Sequence, residues 1–243
     1  MTTTASTTTT RRTDPADRSA NEATSKTLRT AGLAGFGWLA HLIITNLVNG
    51  AVSPAPDATV DEVIAHLRDD RAVIYVLTAA FALTTPLVFW FFAGIADVLR
   101  RGGHHQAAFA GLVGIAGVFT MFGLAAITRL SLVAALETEV VDDSAVWTMW
   151  KLHDVAFVVN GAAMCMVFLA FGLAGAAVGL VHRWFSVAAP IGALTLLGSA
   201  SFLALPIAEG STPAMLAGLV GFVIWLTFVG TASLGLLRLG RRA

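Results

Sequence analysis

Six long apolar runs fill most of this chain, and the basic residues between them fall on alternate sides. At a rise of 1.5 Å per residue, about 20 apolar residues cross a hydrocarbon layer of roughly 30 Å. The cores of the runs are about 31–50, 73–98, 107–132, 155–181, 186–207 and 213–239. The expected fold is therefore all-α: a polytopic membrane bundle of six transmembrane helices.

Charge supports that class. Only 12% of residues are charged and 56% are hydrophobic, where a water-soluble domain would be about a quarter charged. The formal net charge is zero, so no basic surface invites nucleic acid. The one cysteine, Cys165, lies within the fourth run and has no internal partner for a disulfide.

Lys and Arg are biased toward cytoplasmic flanks. Arg11, Arg12, Arg18, Lys26 and Arg29 precede the first span, Arg100 and Arg101 follow the second, Arg183 follows the fourth, and Arg238, Arg241 and Arg242 follow the sixth. That is eleven of the 15 basic residues on one side. The other side holds Arg68, Arg71 and Lys151, with Arg129 at a span end, beside most of the carboxylates. Both termini are expected to be cytoplasmic. The turns 100–105 and 182–185 leave no room for a soluble catalytic domain, and the larger loops 51–72 and 137–154 face outward.

Residues 1–28 are Thr-rich, then charged, and read as a disordered cytoplasmic tail. The apolar run behind them starts too late and is too long for a secretory signal. In the first outer loop, Thr59-Val60-Asp61-Glu62 is a capping box, followed by Val63, Ile64 and Leu67 at helical spacing. A short amphipathic helix over about 59–70 is expected, lying on the membrane surface or over the bundle.

Trp147, Trp150 and Trp184 fit interfacial belts, and Trp90 and Trp225 fit packing positions within spans. Gly111, Gly114 and Gly117, and the pair Gly175 and Gly179, offer small surfaces for close helix packing. Pro86, Pro190 and Pro206 fall inside spans, where kinks are expected.

Ionisable groups inside spans are costly and point to function. Counted from the cytoplasmic flank, His41 lies about 18 Å in, Asn160 about 32 Å and Arg129 about 36 Å. His153 and Asp154 come out at about 44 Å, with Asn46 and Asn49 beyond His41 and Glu209 near the end of the fifth span. The polar side chains thus gather in the outer leaflet. His153, Phe157 and Asn160 share a helical face, and Arg129 has Asp154 and Glu209 as candidate partners. The candidate site is Asn49, Arg129, His153, Asp154, Asn160 and Glu209. The competing reading is structural, in which these groups only tie helix ends together.

No cofactor or metal is expected. His41 and His153 are separated by over about 20 Å along the membrane normal, too far to ligate one haem iron. His41, alone on an apolar helix, reads as a packing residue with a proton-sensing option. No HExxH, GxSxG or P-loop pattern is present. His153 and Asp154 point about 100° apart on a helix, so Asp154 is not placed to orient its neighbour as a triad carboxylate does.

Trp38-x-x-His41 with Asn49-Gly50-Ala51 echoes Trp150-x-x-His153 with Asn160-Gly161-Ala162. Inverted halves are common in transporters, but the unequal depths of the two histidines argue against one here. The stretch Trp150-Lys151-Leu152-His153-Asp154-Val155-Ala156-Phe157-Val158-Val159-Asn160-Gly161, with His182-Arg183-Trp184-Phe185, resembles uncharacterised six-span membrane proteins of actinobacteria that carry a domain of unknown function. The resemblance covers roughly the fourth and fifth spans. It implies a cytoplasmic-membrane location and carries over no functional residues.

The leading expectation is a non-enzymatic membrane protein that binds or transports a small molecule or lipid through an outer-leaflet polar pocket. One alternative is a structural or regulatory subunit with a membrane-protein partner. The other is an intramembrane enzyme or redox protein.

Overall fold

The computed structural model describes residues 15–55, 57–138, 142–204 and 212–242, with side chains for 21–55, 57–138, 142–199 and 216–242. Every described element is a helix. They are α1 (Pro15–Val52), α2 (Val60–Asp69), α3 (Arg71–Arg101), α4 (His105–Glu137), α5 (Asp143–Val167), a π-helical turn (Phe168–Gly172), α6 (Leu173–Ala177), α7 (Phe185–Ala204) and α8 (Thr212–Arg242). Helices suit such apolar sequence because lipid offers no partner for backbone N–H and C=O groups, and a helix satisfies them internally. Among the described residues, five helices are long and apolar enough to cross a membrane, and Phe185–Ser199 is a shorter apolar helix.

The long helices stand in a ring. Each packs beside the next in sequence, α5 runs on through its π turn and α6 toward α7, and α8 closes back onto α1. The closing seam is made of small residues. Gly32 faces Leu237, Gly35 faces Ser233 and Phe91, and Gly240 sits against Ser25 and Arg29. The Ser25 hydroxyl donates to the Gly240 carbonyl across this seam.

This seam corrects the expected tail. The helix starts at Pro15, so the part of 1–28 that is described is helical. Ala, Glu, Arg and Lys in that stretch are good helix formers, proline suits a first helical turn, and packing holds the segment in place. Leu28 is buried, Ser25 is tied to α8, and Thr24 accepts from Arg101.

The main core lies toward the end of the bundle where α1 starts and α8 ends. Phe92 stacks between Phe171 (5.7 Å, 12°) and Trp225 (5.9 Å, 18°), and Phe168 meets Trp225 edge-on at 5.6 Å. Phe168 and Phe171, both within the π turn, reach this core with no exposure. One extra residue per turn shifts the helix face locally, as π-bulges do. Gly111 lies beneath the Phe171 ring, and Cβ positions built on Gly114 and Gly117 lie 2.9 Å from Val167 and 3.4 Å from Ala163. The expected small-residue face of α4 is thus the α4–α5 seam.

Gly175 and Gly179 are not a packing pair. Gly179 takes φ 71° at the end of the helix. The Leu180 N–H donates to the Gly175 carbonyl at 2.8 Å and the Gly179 N–H to Ala176 at 3.3 Å, a Schellman ending that needs a left-handed residue. Trp90 is also corrected: it is 52% exposed on the bundle surface, while Trp225 is buried as expected. Trp150 is buried, against its expected place in an interfacial belt, because the helix of the fourth span, α5, begins at Asp143 rather than near 155 and α2 covers it.

Candidate functional site

The site builds from α2 upward. The Thr59 hydroxyl accepts from the Glu62 backbone N–H, and the Thr59 backbone N–H donates to the Glu62 carboxylate at 2.7 Å. That reciprocal bond starts the helix and holds the Glu62 carboxyl below its usual range. The buried face then carries Val63, His66 and Leu67. Val63 and Leu67 join Ala58, Ile74, Leu132, Val133, Val146 and Trp150 in a second apolar cluster. So α2 does not float on a surface. It packs across α3, α4 and α5 at the end of the bundle away from the start of α1 and the end of α8.

His66 rides that face into the bundle, where it is 7% exposed. Its Nε2 lies 2.7 Å from an Arg129 guanidinium nitrogen, and its Nδ1 lies 2.9 Å from the Asp70 carboxylate. Arginine only donates, so Nε2 must be the acceptor and Nδ1 must carry the proton given to Asp70. His66 is therefore neutral and of one tautomer. Burial holds its pKa below the ordinary value near 6.5; the Asp70 hydrogen bond opposes this, and the Arg129 charge adds to the depression.

Arg129 is 9% exposed on α4. A second guanidinium nitrogen donates to Asn49 Oδ1 on α1 at 2.9 Å. Its Nε has no hydrogen-bond partner among the described residues. The cation thus sits between two neutral acceptors; the Asp70 charge acts on it through space, but its hydrogen bond goes to the imidazole and not to the guanidinium. Asn49, Arg129, His66 and Asp70 form one hydrogen-bonded chain from α1 through α4 to the end of α2.

The candidates drawn from sequence split into groups. Asn49 and Arg129 meet as direct partners. Asp154, one of the two candidate partners for Arg129, does not bond it; it lies 3.6 Å from Lys151 and 3.2 Å from His153 Nδ1. Asp154 is not expected to orient its neighbour as a triad carboxylate does, yet the two side chains are in hydrogen-bond contact. Lys151 lies 4.3 Å from the centroid of the Trp147 ring, and His153 stacks on Trp150 at 5.0 Å. Trp150 in turn meets His66 edge-on at 6.0 Å, so His153 borders the chain through an aromatic ring. Asn160 lies apart from that chain on α5. It is 3% exposed, donates to the Met164 sulfur at 3.8 Å and leaves its Oδ1 without a partner among the described residues. Phe157, expected on the same inward face, is exposed at the edge of that stripe and meets Phe122 edge-on at 5.6 Å. Glu209 and Pro206 lie outside the described residues.

Trp38 and His41 stack at 5.3 Å and 21°, close to the 5.0 Å and 20° of Trp150 and His153. The sequence echo is thus a shared local geometry. It stops there, because Asn49 binds Arg129 whereas Asn160 binds a sulfur. Among the described residues no three His, Cys, Asp or Glu side chains converge as a metal-ligand set.

His66 and Asp70 escaped the reading of the sequence, yet a signal was present. His66 follows Val63 by three and precedes Asp70 by four, so all three lie on the face that Leu67 marks as buried. A histidine on the apolar stripe of an amphipathic helix, with a carboxylate one turn on, faces whatever that helix covers. A cleft of about 330 Å³ between the α1–α2 connection and α2, lined by Val52, Ala55, Asp57, Glu62 and His66, runs beside it. No protein-family model, curated protein or solved structure matches this chain.

Proposed function

We propose that this is a six-span protein of a bacterial cytoplasmic membrane, both termini cytoplasmic, that binds a small anionic molecule or anionic lipid headgroup in its outer-leaflet half. The observation that carries the binding reading is Arg129, a buried cation whose two direct partners are neutral. A charge buried in a low dielectric calls for a counter-charge. Asp70 supplies part of it at one remove, and an incoming oxyanion would supply it directly. The α2 helix, packed over the cluster, is the roof of this site. The six spans rest on the ring, with α7 as the fifth span, and the orientation rests on the alternation of basic flanks.

Topology is checked by labelling intact cells with an impermeant thiol reagent in a Cys165→Ser background. Cysteines placed at Ser53 and Asp142 should react from outside, and one at Gly102 should not. Labelling at 102 without labelling at 53 reverses the orientation.

Binding is checked by thermal unfolding of the purified protein in detergent with acetate, inorganic phosphate or phosphatidylglycerol added. A ligand that binds only the native state raises Tm, by an amount that grows with the logarithm of one plus the ratio of ligand concentration to Kd. At least one of these should raise the Tm of the wild type by a few degrees and leave Arg129→Met unmoved. A response to acetate or phosphate identifies a free oxyanion, and a response to the lipid alone identifies a headgroup. If all three leave wild type unmoved, or move both proteins equally, Arg129 is not a binding residue.

A further inference from the structure

We propose that His66 is a proton-operated latch: a proton taken up at its Nε2 expels the Arg129 guanidinium and frees α2 from the bundle, uncovering the site beneath. The inference rests on the binding reading for what the latch uncovers, but the latch itself stands on hydrogen-bond geometry. His66 Nε2 accepts from Arg129 at 2.7 Å while Nδ1 is already committed to Asp70. An imidazolium has no acceptor lone pair. The closed contact and the protonated ring are therefore mutually exclusive, and they would set two cations at hydrogen-bond distance in a buried place.

The groups facing His66 agree with this assignment. From α2 itself come Asp70, at 2.9 Å, and Glu62, which shares the cleft with it. From α4 comes Arg129, and from α5 the charge of a protonated His153 would act against a second cation at His66. Asp154 and Lys151 lie beyond His153 and offset each other. The residue that α3 buries beside α2 is the apolar Ile74. Asp57, from the α1–α2 connection, lies with Glu62 along the cleft that leads to the ring. A proton thus has an acidic approach and meets a carboxylate waiting at Nδ1, while burial first and the Arg129 charge second oppose protonation.

Among the described residues nothing else polar fastens the buried face of α2. Apart from the Arg129 contact, the described contacts of that face are apolar, made by Val63 and Leu67. The sign of the pH effect follows. The closed state holds His66 neutral and below its ordinary pKa; the open state exposes it at about 6.5. Closure is complete above the open-state value and is lost as pH falls through the lowered closed-state value.

The test uses the full chain in detergent with no ligand added. Cys165→Ser carries either Val63→Cys, on the buried face of α2, or Ser53→Cys, exposed on the preceding connection as a reference for thiol reactivity. The ratio of labelling rates, 63 over 53, should rise about tenfold between pH ~7.5 and pH ~5. With His66→Gln added, which keeps a neutral acceptor for Arg129, the ratio should stay flat. A ratio that ignores pH in the wild-type background, or one that still rises in His66→Gln, overturns the latch. If His66→Gln does not fold, nitrogen NMR of histidine-labelled wild type decides: a His66 ring whose Nε2 stays unprotonated at pH ~5 sinks the proposal. Loss of the pH response with oxyanion stabilisation intact defeats the latch alone. A pH response without any ligand stabilisation defeats the binding reading alone.

Discussion

Replacing His66 with leucine should destabilise the bundle by roughly 3 kcal/mol, although leucine is apolar, of similar size and enters an apolar cluster. The loss comes from Arg129. With His66 gone, the guanidinium keeps Asn49 as its one neutral partner and loses its link to Asp70. Removing one member of a buried polar chain leaves the rest uncompensated, which costs more than the bond itself was worth. Adding Arg129→Met removes the stranded charge and should restore most of the stability, so the double variant is more stable than the sum of its parts. Thermal or denaturant unfolding in detergent reads this directly. A double variant no more stable than His66→Leu alone would mean that the Arg129 charge is relieved elsewhere.

Gly35→Val should cost about 2–3 kcal/mol, and Gly50→Val on the same helix should cost almost nothing. A Cβ at Gly35 would overlap the Ser233 hydroxyl and the Phe91 ring, both fully buried, so neither has room to give. At Gly50 nothing lies within 4 Å. Valine is a somewhat better helix former than glycine, so propensity favours both substitutions slightly and only the seam separates them. The readout is the Tm of each variant in the same detergent. Equal losses at both positions would place the cost in the helix itself and not in the α1–α8 seam.

The helices were legible because length and apolarity speak for themselves: the runs at 73–98 and 107–132 lie inside α3 and α4 with a few residues to spare. The start of α5 was not. Asp143, Trp147, Lys151 and Asp154 read as a polar outer loop, yet once α2 covers Trp150 and Val146 that stretch is simply the first three turns of a helix. The same cover explains the miss at the site. Arg129 and Asn49 stand out in any hydropathy reading, because charge and amide groups are rare in such runs. Their partner stood on a short helix outside the spans, where a histidine attracts no notice. Which neighbour an arginine chooses is a matter of tertiary packing. Asp154 was nearer to expectation on composition, but Lys151 and His153 occupy it locally.

The seam between the first and last helices sets an order of events during synthesis. A chain is made from its N-terminus, and its parts begin to fold in that order. When α1 enters the membrane, the groove around Gly32 and Gly35 faces lipid, since Leu237 and Ser233 are some two hundred residues from being made. By contrast, Asn49 and His66 are already synthesised when α4 brings Arg129 between them. The costly charge thus arrives to waiting partners, and the nascent chain's longest wait is at a smooth, uncharged groove that lipid tails can fill until α8 displaces them.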